Sequence, residues 1–367
     1  MEQSTFDILS HPNFDDRAKE FCEKYDLVDI KGPGDQNFSK RSLKRSSERT
    51  CRFCSRSHPS TSFSNYSHLI PQLMGNTDMY SDFECDECNN RFSSSENDLA
   101  EYLGISRSLT GLNGSGRPPG FAARRLRAKS RSFIGDNILI IAPEDLKREG
   151  GKTIISYTKN PFVPANVYNA LLKSALSLLG NSEIKENYQH AIDYHAGKII
   201  IQEGACISGY RLSFLINLPL HIYHFRKRVK NEKLPTDVMV FNFQNHIIAF
   251  PIPLHQQDMA SNYASYNVVM PPPYFVDQTT MIKAMPISFM RDLSSTKKIT
   301  DEEEQLTLIL NPESLKNAVI YNPEKQEFQK TETDTHSIKY LILTKDDFTI
   351  DPKEFSTFIQ EQIESSS

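Results

Sequence analysis

Apolar and polar positions alternate along this chain at different periods, and the changes of period divide it. From Pro164 to Leu179, Val167, Leu171, Ala175 and Leu178 recur three or four residues apart, with Pro164 in the first turn. That spacing predicts an amphipathic helix. A second helix is expected over about Glu183–His195, after Gly180-Asn181-Ser182 and closed by Gly197. Shorter runs read as strands: Ile138–Ala142, Thr153–Tyr157, Ile199–Gln202, Tyr210–Leu218, Val238–Phe243 and His246–Ile252. The last two are expected to form a hairpin around Gln244-Asn245. Leu306–Leu310 and Tyr340–Leu343 are further candidate strands, and Pro352–Glu364 a terminal amphipathic helix. Near the start, Phe14, Ala18, Phe21 and Tyr25 at helical spacing predict one or two short acidic helices within residues 1–30.

Two stretches carry neither period. Residues 31–50 are polar and basic, with Lys40, Arg41, Lys44, Arg45 and Arg49. Residues 104–120 are rich in Gly, Ser and Pro, and lead into Arg124, Arg125, Arg127, Lys129 and Arg131, with no acid between Glu101 and Asp136. Each stretch reads either as a solvated linker or as an arm that grips phosphates. These breaks suggest a helical segment over 1–37, a module over 38–104, a linker over 105–135 and a C-terminal domain over 136–367. The expected class is α+β, with a mainly antiparallel sheet in the C-terminal domain.

At 367 residues there is enough chain for two domains, and 38% hydrophobic with 24% charged residues is ordinary for a soluble protein. A formal charge of −4 gives no global attraction to a polyanion, so any basic surface is local. No apolar run approaches the roughly 18 residues of a membrane span. The opening Met-Glu-Gln-Ser-Thr-Phe-Asp lacks the basic and apolar regions of a signal peptide.

Four of the six cysteines fall in two C-x-x-C pairs, Cys51/Cys54 and Cys85/Cys88. Two intervening residues let both thiolates of a pair reach one small ion from a tight turn. Two such knuckles supply the four sulfurs of a closed tetrahedral site for structural Zn²⁺. Thiolate-bound zinc suits a reducing compartment, so a cytoplasmic location is expected, with Cys22 and Cys206 as buried free thiols.

Between and beside the knuckles lie His68-Leu69-Ile70-Pro71-Gln72, then Gly75-Asn76, then Cys85-Asp86-Glu87-Cys88-Asn89-Asn90-Arg91-Phe92. In this order the motifs resemble the zinc-knuckle subgroup of the HNH endonuclease family, over about Phe38–Leu103. The resemblance implies a ββα-metal fold and metal-dependent hydrolysis of DNA phosphodiesters. It implies His68 as general base, Asn76 as the residue holding the loop that orients it, and Asn89 as a ligand of Mg²⁺ or Mn²⁺, with Asn90 the alternative. There is one departure. Many members place an acidic or histidine metal ligand before the base, and here that residue is Ser67. Either Glu96 supplies the missing charge, or Asn89, phosphate and water hold the metal, or the site is degenerate.

The implied substrate is double-stranded DNA cut with low sequence specificity. Lys40, Arg41, Lys44 and Arg45 on one side, and Arg124, Arg125, Arg127 and Arg131 on the other, would contact its phosphates. Residues 136–367 are expected to regulate or assemble the enzyme. The two-domain layout is similar to that of effectors in bacterial antiphage systems, which leaves open a protein activator, a nucleotide signal and self-association. A restriction-type enzyme whose C-terminal domain reads DNA is an alternative, as is a zinc module that binds nucleic acid without cutting it. No membrane partner is expected.

Overall fold

The computed structural model describes residues 9–10, 15–109, 120–133, 136–144, 146–149, 152–197, 205–212, 218–228, 233–259, 274–275, 286–309, 319–322, 327–330 and 341–343. Its helices are α1 (Asp15–Lys24), α2 (Asp86–Leu103), α3 (Ser106–Leu109), α4 (Pro164–Leu178), α5 (Asn181–Asn187) and α6 (Gln189–His195). The mixture of helices with antiparallel sheets is the α+β class expected. None of the described helices is long and apolar enough to cross a membrane.

The chain folds into two compact units. One combines residues 1–106 with 161–299, the other 107–160 with 300–367. The stretch from 136 onward, expected as one domain, therefore contributes to both.

The first unit is built on a six-stranded antiparallel sheet. Its order is Ile287–Asp292, Cys206–Arg211, His246–Pro251, Asp237–Gln244, Leu218–Lys227 and Tyr25–Lys31. The central strand Asp237–Gln244 is buried at every position, and its side chains alternate between two cores as strand geometry requires. Met239, Phe241 and Phe243 join a core with α4 and the cysteine knuckles. Val238 and Val240 join a smaller core with Phe21 and Tyr25. The expected hairpin is present: Phe243 pairs with His246, and Gln244 takes the positive φ of 53° that the tight turn needs. On the neighbouring strand, Gly209 lies so close to Ile247 that a Cβ would meet its carbonyl oxygen at 1.9 Å.

Three expectations are corrected. The first 30 residues are not wholly helical: after α1 the chain switches to the strand Tyr25–Lys31, paired with Leu218–Lys227. Long-range pairing overrides the helical spacing of Tyr25. The Glu183–His195 helix is two helices, broken at Tyr188 (φ −125°, ψ 18°), whose hydroxyl donates to Asp237. Cys22 is exposed and Cys206 half-buried rather than both buried.

The second unit holds a four-stranded antiparallel sheet in the order Leu341–Leu343, Asp136–Pro143, Leu126–Phe133 and Phe121–Ala123. It also has a three-stranded sheet in the order Glu303–Ile309, Lys152–Thr158 and Leu146–Glu149, and a two-stranded hairpin of Val319–Asn322 with Glu327–Lys330. The expected linker over 105–135 thus contains two strands. Leu126 and Ala128 are buried while Arg127 between them is exposed, the period-2 alternation of a half-buried strand. Arg125 turns the chain between these strands with φ 72°. The strand expected at Ile199–Gln202, the helix at Pro352–Glu364 and most of the 104–120 hinge lie outside the described residues.

Candidate functional site

The two knuckles come together as their spacing requires. Ser55, at φ 60°, donates its N–H to Cys51 O at 2.8 Å, and the Cys51 N–H donates to Arg56 O at 2.8 Å. Cys85 caps the N-terminus of α2, Cys88 sits in its first turn, and the Asn89 N–H closes that turn on Cys85 O at 2.9 Å. The four sulfurs lie within 4.8 Å of one another, with Cys54 and Cys85 3.7 Å apart. A tetrahedron of ~2.3 Å Zn–S bonds sets its sulfurs about 3.8 Å apart, so the donor set fits zinc in chemistry and spacing. The Cys88 thiol bonds the Cys51 sulfur and, against burial, holds the Cys51 thiol down at about 5; the same bond pushes Cys88 far up. A dication at the centre of the four sulfurs favours the thiolate form of every ligand, so metal binding here releases protons.

His68 lies on the segment between the knuckles and pairs through a short antiparallel bridge with Tyr80. The turn Gln72–Met74 follows, ended by Gly75 at φ 98°, a left-handed conformation that favours glycine. That turn delivers Asn76 back beneath the imidazole. Asn76 is buried; its Nδ2 donates to Ile70 O (2.8 Å) and Met79 O (3.0 Å), and its Oδ1 accepts from the Met79 N–H (2.9 Å). The same Nδ2 faces His68 Nδ1 at 3.4 Å. On the other side, Gln72 Nε2 stands 2.9 Å from His68 Nε2. In the tautomer with Nε2 unprotonated, Gln72 donates to the lone pair that a general base would use. Burial, then the charges of Lys173 and Lys40, lower the His68 pKa to about 4, so the imidazole is neutral at neutral pH.

Lys173 is the element that sequence reasoning missed. It is the only charged residue in the apolar run of α4, and its side chain is 1% exposed. Its Nζ donates to the His68 backbone carbonyl at 2.5 Å and lies 3.2 Å from Glu84 and 3.6 Å from Glu96. Glu84, wholly buried just before Cys85, has its pKa raised to about 7 by burial, with Lys173 opposing. A lone lysine inside a helix of otherwise apolar and small polar residues was the available signal, since a buried ammonium needs carboxylate partners.

Both ends of α4 are also fixed by the knuckle module. Asp98 accepts the Val163 N–H at 3.2 Å and Asn166 Nδ2 at 2.6 Å, at the N-terminus where orphan donors cluster. Arg52, stacked 3.6 Å over the Phe83 ring, donates to Leu176 O (2.6 Å) and Leu179 O (2.9 Å), satisfying carbonyls at the C-terminus.

Of the expected site residues, His68 and Asn76 are in contact. Asn89 is half-buried in the first turn of α2, and Asn90 beside it is exposed. Glu96 lies two turns further along α2, on Lys173. Ser67 is 2% exposed, so its hydroxyl does not face solvent beside His68. Lys40, Arg41, Lys44 and Arg45 are exposed, with Lys44 3.6 Å from Asp82. In the second unit, Arg125 forms an ion pair with Glu303, Arg124 lies 3.9 Å from the same carboxylate, Arg127 is exposed, and Arg131 lies in the strand Leu126–Phe133.

A second cluster of ionisable groups, Glu183, Asp237 and His255, lies on the six-stranded sheet. Arg226 already occupies it: Nε donates to Asp237 Oδ1 at 2.8 Å and NH2 to Glu183 Oε1 at 2.9 Å. This is a closed ion-pair network rather than a vacant cation site.

A model of the HNH endonuclease family matches residues 51–99, from the first knuckle through most of α2. No curated protein and no solved structure matches the chain. The segment 51–99 is thus an HNH module with a four-cysteine cluster suited to zinc.

Proposed function

We propose that this chain is a metal-dependent endonuclease that hydrolyses DNA phosphodiester bonds, with His68 as general base. The observation that carries the reading is the hold on His68: Gln72 donates to Nε2, Lys173 donates to its carbonyl, and Asn76 braces the loop beneath the ring through Ile70 and Met79. A neutral imidazole held at Nε2 and through its backbone carbonyl can accept a proton from water at Nε2 once Gln72 yields its place. Asn76 acts through the loop, tying Ile70 and Met79 together so that the ring cannot swing away.

Asn89 is the residue that would hold Mg²⁺ or Mn²⁺, with Glu96, two turns further along α2 and paired with Lys173, as the second candidate ligand. Such an ion supplies charge stabilisation at the scissile phosphate and the leaving oxygen. Four cysteines hold the structural Zn²⁺ that fixes α2 against the His68 segment. Lys40, Arg41, Lys44 and Arg45 contact duplex phosphates without reading sequence, and Arg124, Arg125, Arg127 and Arg131 are a second set of candidate phosphate contacts on the other unit.

A nuclease that reads backbone shape would endanger its own genome, so control belongs to the reading. Residues beyond 136 serve as a gate in an antiphage effector of the cytoplasm, released by a protein partner or a nucleotide signal. The support is α4, whose Lys173 reaches the backbone of the proposed base. Supercoiled plasmid incubated with Mg²⁺ or Mn²⁺ tests the activity: nicked and linear products appear with metal, are absent with chelator, and are absent in His68→Ala. A plasmid left intact under every metal condition refutes it.

A further inference from the structure

The rings around His68 continue past the proposed site of hydrolysis. Tyr80, the bridge partner of His68, lies with its ring centroid 4.7 Å from the imidazole at 39°. Tyr66, two residues before His68, is 6.0 Å from Tyr80 and 58% exposed. The Tyr80 N–H donates to Phe38 O at 2.7 Å, which draws the basic arm onto this surface. Lys40 Nζ then sits 4.8 Å from the Tyr66 centroid and 5.0 Å from that of Tyr80. Among the described residues no carboxylate lies within ion-pair distance of Lys40.

This combination has a specific use. An exposed aromatic face beside a cation without a carboxylate partner is the pairing by which proteins hold unstacked nucleotides, the ring taking the base and the cation the phosphate. In an intact duplex both faces of every base are covered by neighbours, so a tyrosine outside the helix meets only sugar and phosphate. A base that has left the stack exposes a face of its own. Lys40 rests on the rings by a cation–π contact of roughly 0.5–1 kcal/mol at an exposed site, weak enough to be exchanged for a phosphate.

We propose that Tyr66 and Tyr80, with Lys40, form a stacking site for one unpaired nucleobase next to the bond cut at His68. The favoured substrate class is then DNA with an unpaired nucleotide at the cut, such as a bulge, rather than uninterrupted duplex. The proposal rests on the nuclease reading, since His68 is what fixes the position of the strand.

Two DNA duplexes, identical except that one carries a single-nucleotide bulge, decide it. Each contains 2-aminopurine at that nucleotide, a base whose fluorescence is quenched by stacking. Binding is measured without added Mg²⁺ and without chelator, so that zinc stays in place. Wild type is expected to bind the bulged duplex about tenfold more tightly and to quench it, in line with the stacking of one base on one ring. Tyr66→Ala and Tyr66→Leu lose most of that preference and of the quenching, while Tyr66→Phe keeps both. Lys40→Gln weakens binding to both duplexes and lowers the salt slope by about one phosphate contact.

Equal binding of the two duplexes by wild type, or a preference that survives in folded Tyr66→Ala and Tyr66→Leu, overturns the proposal. Cleavage of the same duplexes after addition of Mg²⁺ scores the nuclease reading separately. Cutting without any bulge preference removes the stacking site alone, and quenching without any cutting removes the nuclease alone.

Discussion

Lys173 Nζ donates to the backbone carbonyl of His68 at 2.5 Å, across 105 residues of sequence. The ammonium is 1% exposed and the Glu84 carboxylate beside it 0%. A buried pair of this kind owes its stability to completeness, because either charge left alone in the interior is far more costly than the pair. The same lysine thus serves the core and fixes the backbone of the proposed base.

Lys173→Met is therefore expected to destabilise the first unit by about 3–5 kcal/mol through the stranded Glu84 carboxylate. Lys173→Met with Glu84→Gln removes both charges and should recover most of that loss. Chemical denaturation of the two variants measures it. Equal destabilisation in single and double variants would show that the pairing is not what matters.

The cysteine cluster predicts about one Zn²⁺ per chain by elemental analysis. Cys51→Ser and Cys88→Ser should lose the metal and unfold the knuckle module, since the binding energy of a structural zinc is largely folding energy. Full zinc content in either variant would contradict the tetrahedral assignment.

Acid should weaken the first unit through Asp237. Burial favours its protonation, but hydrogen bonds from His224 and Arg226 outweigh that and hold the carboxyl well below the usual carboxylate range. A depressed native pKa contributes stability that is present above the unfolded value, near pH 4, and is lost as pH falls further. Melting temperature recorded between pH 6 and pH 3 should drop below about pH 4, and Asp237→Asn should flatten that drop while lowering stability at neutral pH.

The two basic segments are expected to differ. Lys40, Arg41 and Arg45 are exposed, whereas Arg124 and Arg125 face Glu303. Neutralising Lys40, Arg41, Lys44 and Arg45 together should reduce the salt slope of DNA binding by roughly 0.9 per lost phosphate contact. Neutralising Arg124, Arg125, Arg127 and Arg131 should reduce it less. Binding titrations at several salt concentrations compare the two sets, and a larger loss from the second set would contradict this ranking.

Local signals were legible wherever a local cause determined the structure. Cys51, Cys54, Cys85 and Cys88 announce their cluster because knuckle spacing is set by the ion, and α4 is visible in its stripe of Val167, Leu171, Ala175 and Leu178. The hairpin at Gln244-Asn245 was equally plain. What the sequence concealed depends on distant partners. Tyr25–Lys31 became a strand because Leu218–Lys227 lies beside it, and residues 105–135 read as a linker although Leu126–Phe133 is a strand paired with Asp136–Pro143, in which Arg127 alternates with Leu126 and Ala128. Lys173 could be marked as unusual, but only tertiary packing brings it to His68 and Glu84.

The role of His68 is tested most directly by the rate of plasmid cleavage by His68→Ala against wild type, with Mg²⁺ or Mn²⁺. Zinc content and melting temperature are followed in the same preparations. Loss of a general base typically slows a reaction by about 10²–10⁴. A loss of that size is expected, with zinc retained and the melting temperature nearly unchanged, because His68 is half-buried and the candidate zinc site is made of cysteines. His68→Ala protein that holds its zinc and cuts at the wild-type rate would contradict the assignment of His68 as the base.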